Sequence, residues 1–166
     1  MRKPKLDEKD KRILKVLQNQ GKITNIQLSK KVKLSPAPCL ERVKKLEHHK
    51  FIKGYHAELD NYKLGLEFIA YINISLTSQK ADVMKKFITQ INKITEVAEC
   101  YQMSGDYDYL LRVITKNTDA FTELVNAKLS KIDEIGRMQT QLVLKEHKRS
   151  HELPLDQVER LRGKRK

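Results

Sequence analysis

Apolar and polar positions along residues 7–48 repeat with helical spacing in three runs, separated by short polar breaks. Over 7–19 the apolar positions are Ile13, Leu14, Val16 and Leu17, and the acids Asp7, Glu8 and Asp10 fall in the first turn, where the helix dipole favours negative charge. This predicts an amphipathic helix, ended by Gly21. Thr24-Asn25-Ile26-Gln27 reads as a capping box that opens a second helix to about Val32, burying Ile26, Leu28 and Val32. After the turn Lys33-Leu34, Ser35 is a natural N-cap, and Pro36 and Pro38 occupy a first turn whose N–H groups have no helical partner anyway. On a helical wheel Cys39, Leu40, Val43 and Leu46 gather on one side, with Ala37, Pro38, Glu41, Arg42, Lys45 and His48 opposite. A helix, a short turn and a cationic helix predict a helix-turn-helix unit. Residues 51–59 read as extended chain around Gly54, a candidate wing carrying Lys53, and 60–66 as a short connector.

Beyond the connector the period changes. Phe68, Ala70, Ile72, Ile74 and Leu76 alternate as in a strand, and Val83, Phe87, Ile88 and Ile91 follow helical spacing. Two further strands, about 96–103 and 108–115, are joined by the tight turn Ser104-Gly105-Asp106-Tyr107. Phe121, Leu124, Val125 and Leu129 mark a second helix, and Met138, Thr140, Leu142 and Leu144 a last strand. The order βαββαβ predicts an α+β fold, a winged helix-turn-helix followed by a ferredoxin-like domain. Two helices cover one face of the four-stranded sheet. The other face is expected to be apolar and aromatic and to bury against a second subunit. Residues 147–166 combine low apolar content with a charge run, which predicts disorder. The alternative is a short helix, Leu155 to Leu161, that packs on a neighbour and aims cations at DNA.

Charge follows the same division. The chain of 166 residues carries a formal +13, unevenly spread. Residues 1–60 hold 16 Lys and Arg against 7 Asp and Glu, residues 61–146 hold 11 of each, and residues 147–166 hold 7 against 3. A neutral module beside a basic one implies that the basic one faces a polyanion. On the third helix, Arg42 can pair with a guanine edge and Lys45 can neutralise phosphate, while Ala37 and Pro38 at the tip permit close approach. Glu41 either accepts from cytosine or holds Lys45 one turn on. Lys53 is expected to touch the nucleic-acid backbone.

In the second module, Gly105 suggests positive φ and exposed N–H groups able to hold a carboxylate, and Asp106 and Asp108 can face an ammonium group. The alternative is that these aspartates simply cap the turn. Cys39 and Cys100 form no disulfide framework or zinc motif and suit a reducing compartment. His48, His49, His56, His147 and His151 show no ligand spacing, so no metal site is expected. No Gly-rich phosphate loop, nucleophile–base set or metalloprotease motif is present, which argues against an enzyme. The N-terminus lacks an apolar signal core, and the run from Phe68 to Leu76 is too short to span a membrane. A cytoplasmic, nucleoid-associated protein is expected.

Leu6-Asp7, Asp10, Ile13-Leu14, Leu17-Gln18, Gly21-Lys22-Ile23 and Leu28-Ser29, then Leu34-Ser35-Pro36-Ala37-Pro38-Cys39-Leu40-Glu41-Arg42-Val43, Gly54-Tyr55 and Ser104-Gly105-Asp106-Tyr107-Asp108-Tyr109-Leu110-Leu111, together resemble the Lrp/AsnC (feast/famine) transcription regulators, closest to the leucine-responsive branch. The resemblance spans about 6–146. It implies a DNA-binding helix-turn-helix domain with its connector at 6–66, a ferredoxin-like effector-binding and oligomerisation domain at 67–146, and a basic tail at 147–166. The implied DNA surface comprises Asn25, Ser35, Pro36, Ala37, Pro38, Glu41, Arg42, Lys44, Lys45, His48 and Lys53. The implied effector site comprises Ser104, Gly105, Asp106, Tyr107 and Asp108 with Gln102, Thr140, Gln141, Leu142 and Val143, completed by the last strand of a subunit in a neighbouring dimer. Gln102 and Gln141 stand where the leucine-responsive branch is expected to carry an apolar residue and an aromatic, leaving room for a ligand more polar or larger than leucine. The implied partners are double-stranded DNA, a small amino acid and further copies of the chain, as a homodimer assembling to a tetramer or octamer. An architectural DNA-binding protein without an effector is the alternative.

Overall fold

A computed structural model of the chain describes residues 6–158. They fall into two compact units, one of residues 6–58 with 148–158, the other Leu59–His147.

The first unit is built on three helices, α1 (Glu8–Asn19), α2 (Asn25–Val32) and α3 (Pro36–His48). Each start is set by local chemistry. Asp7 and Asp10 form a reciprocal capping box at α1, and Thr24 and Gln27 form another at α2. Ser35 has the extended backbone of an N-cap but its side chain makes no capping bond, and Pro36 fixes the first turn instead. Lys33 takes a left-handed φ of 56° between α2 and α3, and its N–H reaches back to the carbonyls of Ser29 and Lys30. Ile13, Leu17, Leu28, Val32, Cys39 and Leu46 make the core.

Two expected core positions lie outside that core. Ile26 is 60% exposed, because it lies about 200° around the helix from Leu28, and buried Ser29 takes the inward place. Leu40 is 41% exposed, about 100° from Cys39, whereas Val43 and Leu46 stay within about 40° of it. Residues 51–59 form no strand among the described residues: the chain bends at Phe51 and Ile52 and has no regular structure from 53 to 59, so no paired wing is seen. This segment is fixed at its root by the N–H groups of Phe51 and Ile52, both donated to the Leu46 carbonyl, and further on by Tyr55, whose hydroxyl donates to Glu47 at 2.9 Å.

The second unit contains β1 (Phe68–Leu76), α4 (Ala81–Ile91), β2 (Val97–Gln102), β3 (Tyr109–Thr115), α5 (Thr118–Glu123) and β4 (Ile135–Leu142). The strands form one antiparallel sheet in the order β2-β3-β1-β4, the ferredoxin-like arrangement. Register aligns Ile72 with Leu111 and Thr140, and Ile74 with Tyr109 and Met138. The face carrying Ile72, Ile74, Tyr109, Leu111 and Val113 packs against Phe87 and Ile91 of α4 and against Leu124, Leu129 and Ile132. The second helix is less regular than its spacing suggests: α5 opens at Leu124–Lys128 into a wide π turn, then tightens to a 3-10 turn at Leu129–Lys131.

β4 ends at Leu142, and Leu144 beyond it is 91% exposed rather than part of the strand. The open sheet face is only partly apolar. Ile69, Tyr71, Leu110 and Ile114 share it with Asn73, Glu99, Arg112, Gln139 and Gln141. Arg112 is nevertheless 7% exposed and donates to Glu99 at 3.2 Å. The tail forms one 3-10 turn, Leu155–Gln157, in place of the helix considered from Leu155 to Leu161; residues 159–161 of that helix lie outside the described residues.

Candidate DNA interface and effector site

The front of the first unit is the N-terminal end of α3. Ala37 and Pro38 are exposed there, with Glu41, Lys44, Lys45 and His48 further along the exposed side. Asn25 does not project from this surface. Its side-chain amide donates to the Pro36 carbonyl at 2.8 Å and ties α2 to the first residue of α3, while its buried Oδ1 accepts from no group among the described residues. Glu41 meets Lys44 at 3.4 Å, not Lys45 as the one-turn spacing suggested, since the i,i+3 neighbour is also within reach. Lys45 and Lys53 have no ion-pair partner among the described residues. His48 packs edge-on against His49, with ring centroids 5.3 Å apart.

Arg42 is held from behind. Its Nη1 donates to Asp7 Oδ2 and to Asp10 Oδ1, both at 2.7 Å. The remaining oxygens, Asp7 Oδ1 and Asp10 Oδ2, accept the capping N–H bonds of α1 at 2.8 and 3.1 Å. All four carboxylate oxygens are therefore used, and the middle of α3 is fastened to the start of α1. The Arg42 side chain, 31% exposed, is engaged by both acids in this network. Burial alone would raise Asp7, but the Asp10 backbone N–H and the Arg42 guanidinium outweigh it and hold the carboxyl below its ordinary value. The sequence showed the first-turn acids, but their cross-helix partner depends on how α1 and α3 pack.

In the second unit the tight turn between β2 and β3 takes φ +136° at Gly105, and an added Cβ there would meet nothing within 4 Å. A glycine is needed for that backbone, and the space over it is open. Asp108 is fully occupied. Its Oδ2 accepts the Leu76 N–H at 2.8 Å and its Oδ1 accepts from Gln79 at 2.9 Å, so it fastens the end of β1. The Asp106 carboxylate is exposed and has no partner among the described residues; its backbone carbonyl accepts from Ser75. Tyr107 donates to Gln139 at 2.7 Å, and the Arg137 guanidinium lies 5.5 Å from its ring centroid. Ser104 is exposed beside them.

The other expected effector residues are not gathered here. Gln102 lies on edge strand β2 and Thr140, Gln141, Leu142 and Val143 on or just beyond the opposite edge strand β4. Two strands intervene, a separation of roughly 14 Å across the sheet. Thr140 pairs with Ile72 and Leu142 with Ala70, whereas the turn adjoins Ile74 and Leu76. One copy of the chain cannot close a pocket from all ten residues.

Residues 69–153 match the model of the Lrp/AsnC ligand binding domain, and residues 6–53 that of a winged helix-turn-helix DNA-binding domain. The leucine-responsive regulatory protein of Escherichia coli K12 is 39% identical over 148 residues, 89% of this chain and 90% of that protein. A crystal structure of a transcriptional regulator from Neisseria meningitidis in complex with L-Met superposes with a TM-score of 0.88 at 36% identity, covering 91% of this chain and 97% of that one. An AsnC family transcriptional regulator from Agrobacterium tumefaciens does so at 0.86 and 34% identity, covering 91% and 98%. No helix among the described residues is long and apolar enough to cross a membrane.

Proposed function

The chain belongs to the Lrp/AsnC family, and from that premise we propose that it is a sequence-specific DNA-binding transcription regulator whose assembly and DNA affinity respond to an amino acid. The observation that carries the DNA half is the construction of α3. Its tip is small and exposed at Ala37 and Pro38, its exposed side offers Lys45 without an internal partner, and Arg42 fixes its pose from behind. Ala37 and Pro38 meet base edges, Lys44, Lys45, His48 and Lys53 meet backbone, and Asn25 and Arg42 position the helix.

The sensing half rests on the Gly105 turn and the L-Met complex of the Neisseria relative. Backbone N–H groups around Gly105 receive the effector carboxylate and Asp106 faces its ammonium group, while Asp108 shapes the turn. Because Gln102 and 140–143 lie on opposite edges, the site is completed by a second copy of the chain. A ligand held between copies favours one assembly, and DNA affinity changes by the same coupling energy.

Selection of binding sequences from a random duplex pool, with and without each free amino acid, tests this reading. Discrete half-sites about one helical turn apart are expected, with recovery changed by at least one amino acid. Even recovery across sequences, unaffected by any amino acid, would instead support an architectural protein.

A further inference from the structure

Arg137 and Gln139 stand outside the expected effector set, yet the sheet places both beside the Gly105 turn. Met138 packs against the core layer, so its neighbours Arg137 and Gln139 lie on the open face of the sheet. Tyr107 reaches onto that face from the turn. Its hydroxyl donates to Gln139 Oε1 at 2.7 Å, and its ring centroid lies 5.5 Å from the Arg137 guanidinium. Ser75 joins the two from β1: it pairs in register with Arg137, and its hydroxyl donates to the Asp106 backbone carbonyl at 3.4 Å. Arg137 and the turn therefore form one cluster within one copy of the chain, which Gln102 and residues 140–143 do not.

The unpaired groups of this cluster form a particular set. The N–H groups of Ser104, Gly105, Asp106 and Tyr107 donate to no acceptor among the described residues. The Asp106 carboxylate accepts from none of them, and the Arg137 guanidinium meets only the Tyr107 ring. Asp108, by contrast, uses both oxygens on Leu76 and Gln79. A free amino acid brings a carboxylate, which suits the open N–H groups, and an ammonium group, which suits Asp106. That leaves Arg137 to face whatever the ligand side chain carries. A basic side chain would be repelled there. An apolar one would take water from the guanidinium without replacing its hydrogen bonds. A carboxylate can accept two of its N–H groups at once.

We infer that Arg137 is the specificity-determining residue of the effector site and selects an amino acid with a carboxylate side chain, of the aspartate or glutamate class. The inference rests on the amino-acid-sensing reading above and names the ligand class. Tyr107 and Gln139 act as positioning residues, since the phenol held by Gln139 gives the guanidinium a ring to lie against.

The test titrates the full chain, Arg137→Gln and Arg137→Lys by calorimetry with L-glutamate, L-aspartate, L-glutamine, L-leucine and L-methionine, and measures each melting temperature. The unaltered chain is expected to bind one of the two acids most tightly. Arg137→Gln is expected to weaken that binding by about 10–100-fold while leaving neutral amino acids and melting unchanged. Arg137→Lys is expected to recover part of the loss, because it keeps the charge without the fork. Two results would overturn the inference and leave the sensing reading standing. One is tighter binding of a neutral amino acid than of either acid by the unaltered chain. The other is an equal loss for all five ligands in Arg137→Gln, the mark of a contact to the carboxylate they share. Absence of binding by all five, with DNA affinity unmoved by any free amino acid, would overturn the sensing reading itself.

Discussion

The first unit closes its core with six buried side chains from three helices adjacent in sequence, whereas the sheet unit draws ten from strands and helices spread over residues 72–132. The first is also strongly basic and the second neutral. A small core that must also carry unpaired cations gains less from burial and suffers more self-repulsion. The Asp7–Asp10–Arg42 network answers both problems, since it fastens two helices and places two negative charges beside a cationic helix. In the sheet unit the corresponding work falls to the apolar layer. Two of its ion pairs, Glu96 with Lys128 at 2.6 Å and Glu99 with Arg112, lie around that layer.

Leu111→Ala, in the middle of the sheet core, should have the largest effect, about 2–5 kcal/mol of unfolding free energy. Thermal melting with size measurement should show loss of the sheet unit and of assembly together. A small effect would mean that the sheet is not what holds this half together. Arg42→Ala should cost about 1–3 kcal/mol, confined to the first unit. Its DNA affinity should fall in step with folding, and at full folding the site preference should be kept. Lost affinity with unchanged melting would turn Arg42 back into a direct base contact. Asp108→Ala should cost about 1–2 kcal/mol in the sheet unit by orphaning the Leu76 N–H. Asp106→Ala, by contrast, should abolish an effector-induced shift without changing the melting temperature.

Acid provides a milder way to sharpen the contrast. Asp7 titrates lower in the folded chain than in the unfolded one, so its contribution is complete above its ordinary value of 3.8 and fades as pH falls below that. Removing Arg42 should flatten that loss in the first unit and leave the acid response of Glu96, held low chiefly by Lys128, unchanged. The smallest effect is optical. Burial and the Glu47 carboxylate push Tyr55 up to about 12, so Tyr55→Phe should remove phenolate absorbance that develops near that pH.

Much of this was legible in the chain. Local signals set the helix starts: Asp7, Thr24-Gln27 and Pro36 act within four residues of one another or alone. The alternation of Ile72 and Ile74 against Leu111 likewise gave the sheet its inner face. What sequence spacing did not reveal is where side chains turn once elements pack. Arg42 shares a helical face with exposed Lys45 yet bends back to acids 32 and 35 residues away. Asp108 resembles a free turn carboxylate until β1 arrives beside it. Ile26 counts as apolar in any tally, and only its angle from Leu28 places it outside.

The central claim is that the basic unit alone grips DNA while the neutral one holds the assembly. It is tested most directly by titrating the full chain onto its selected duplex from about 50 to 200 mM salt. Lys45→Gln with Lys53→Gln is compared with Lys85→Gln and Lys86→Gln on α4 of the sheet unit. The first pair should lower affinity and reduce the salt slope by about 2, and the second should leave both unchanged. Equal losses from the two pairs, or a loss only from the α4 pair, would contradict the division of labour.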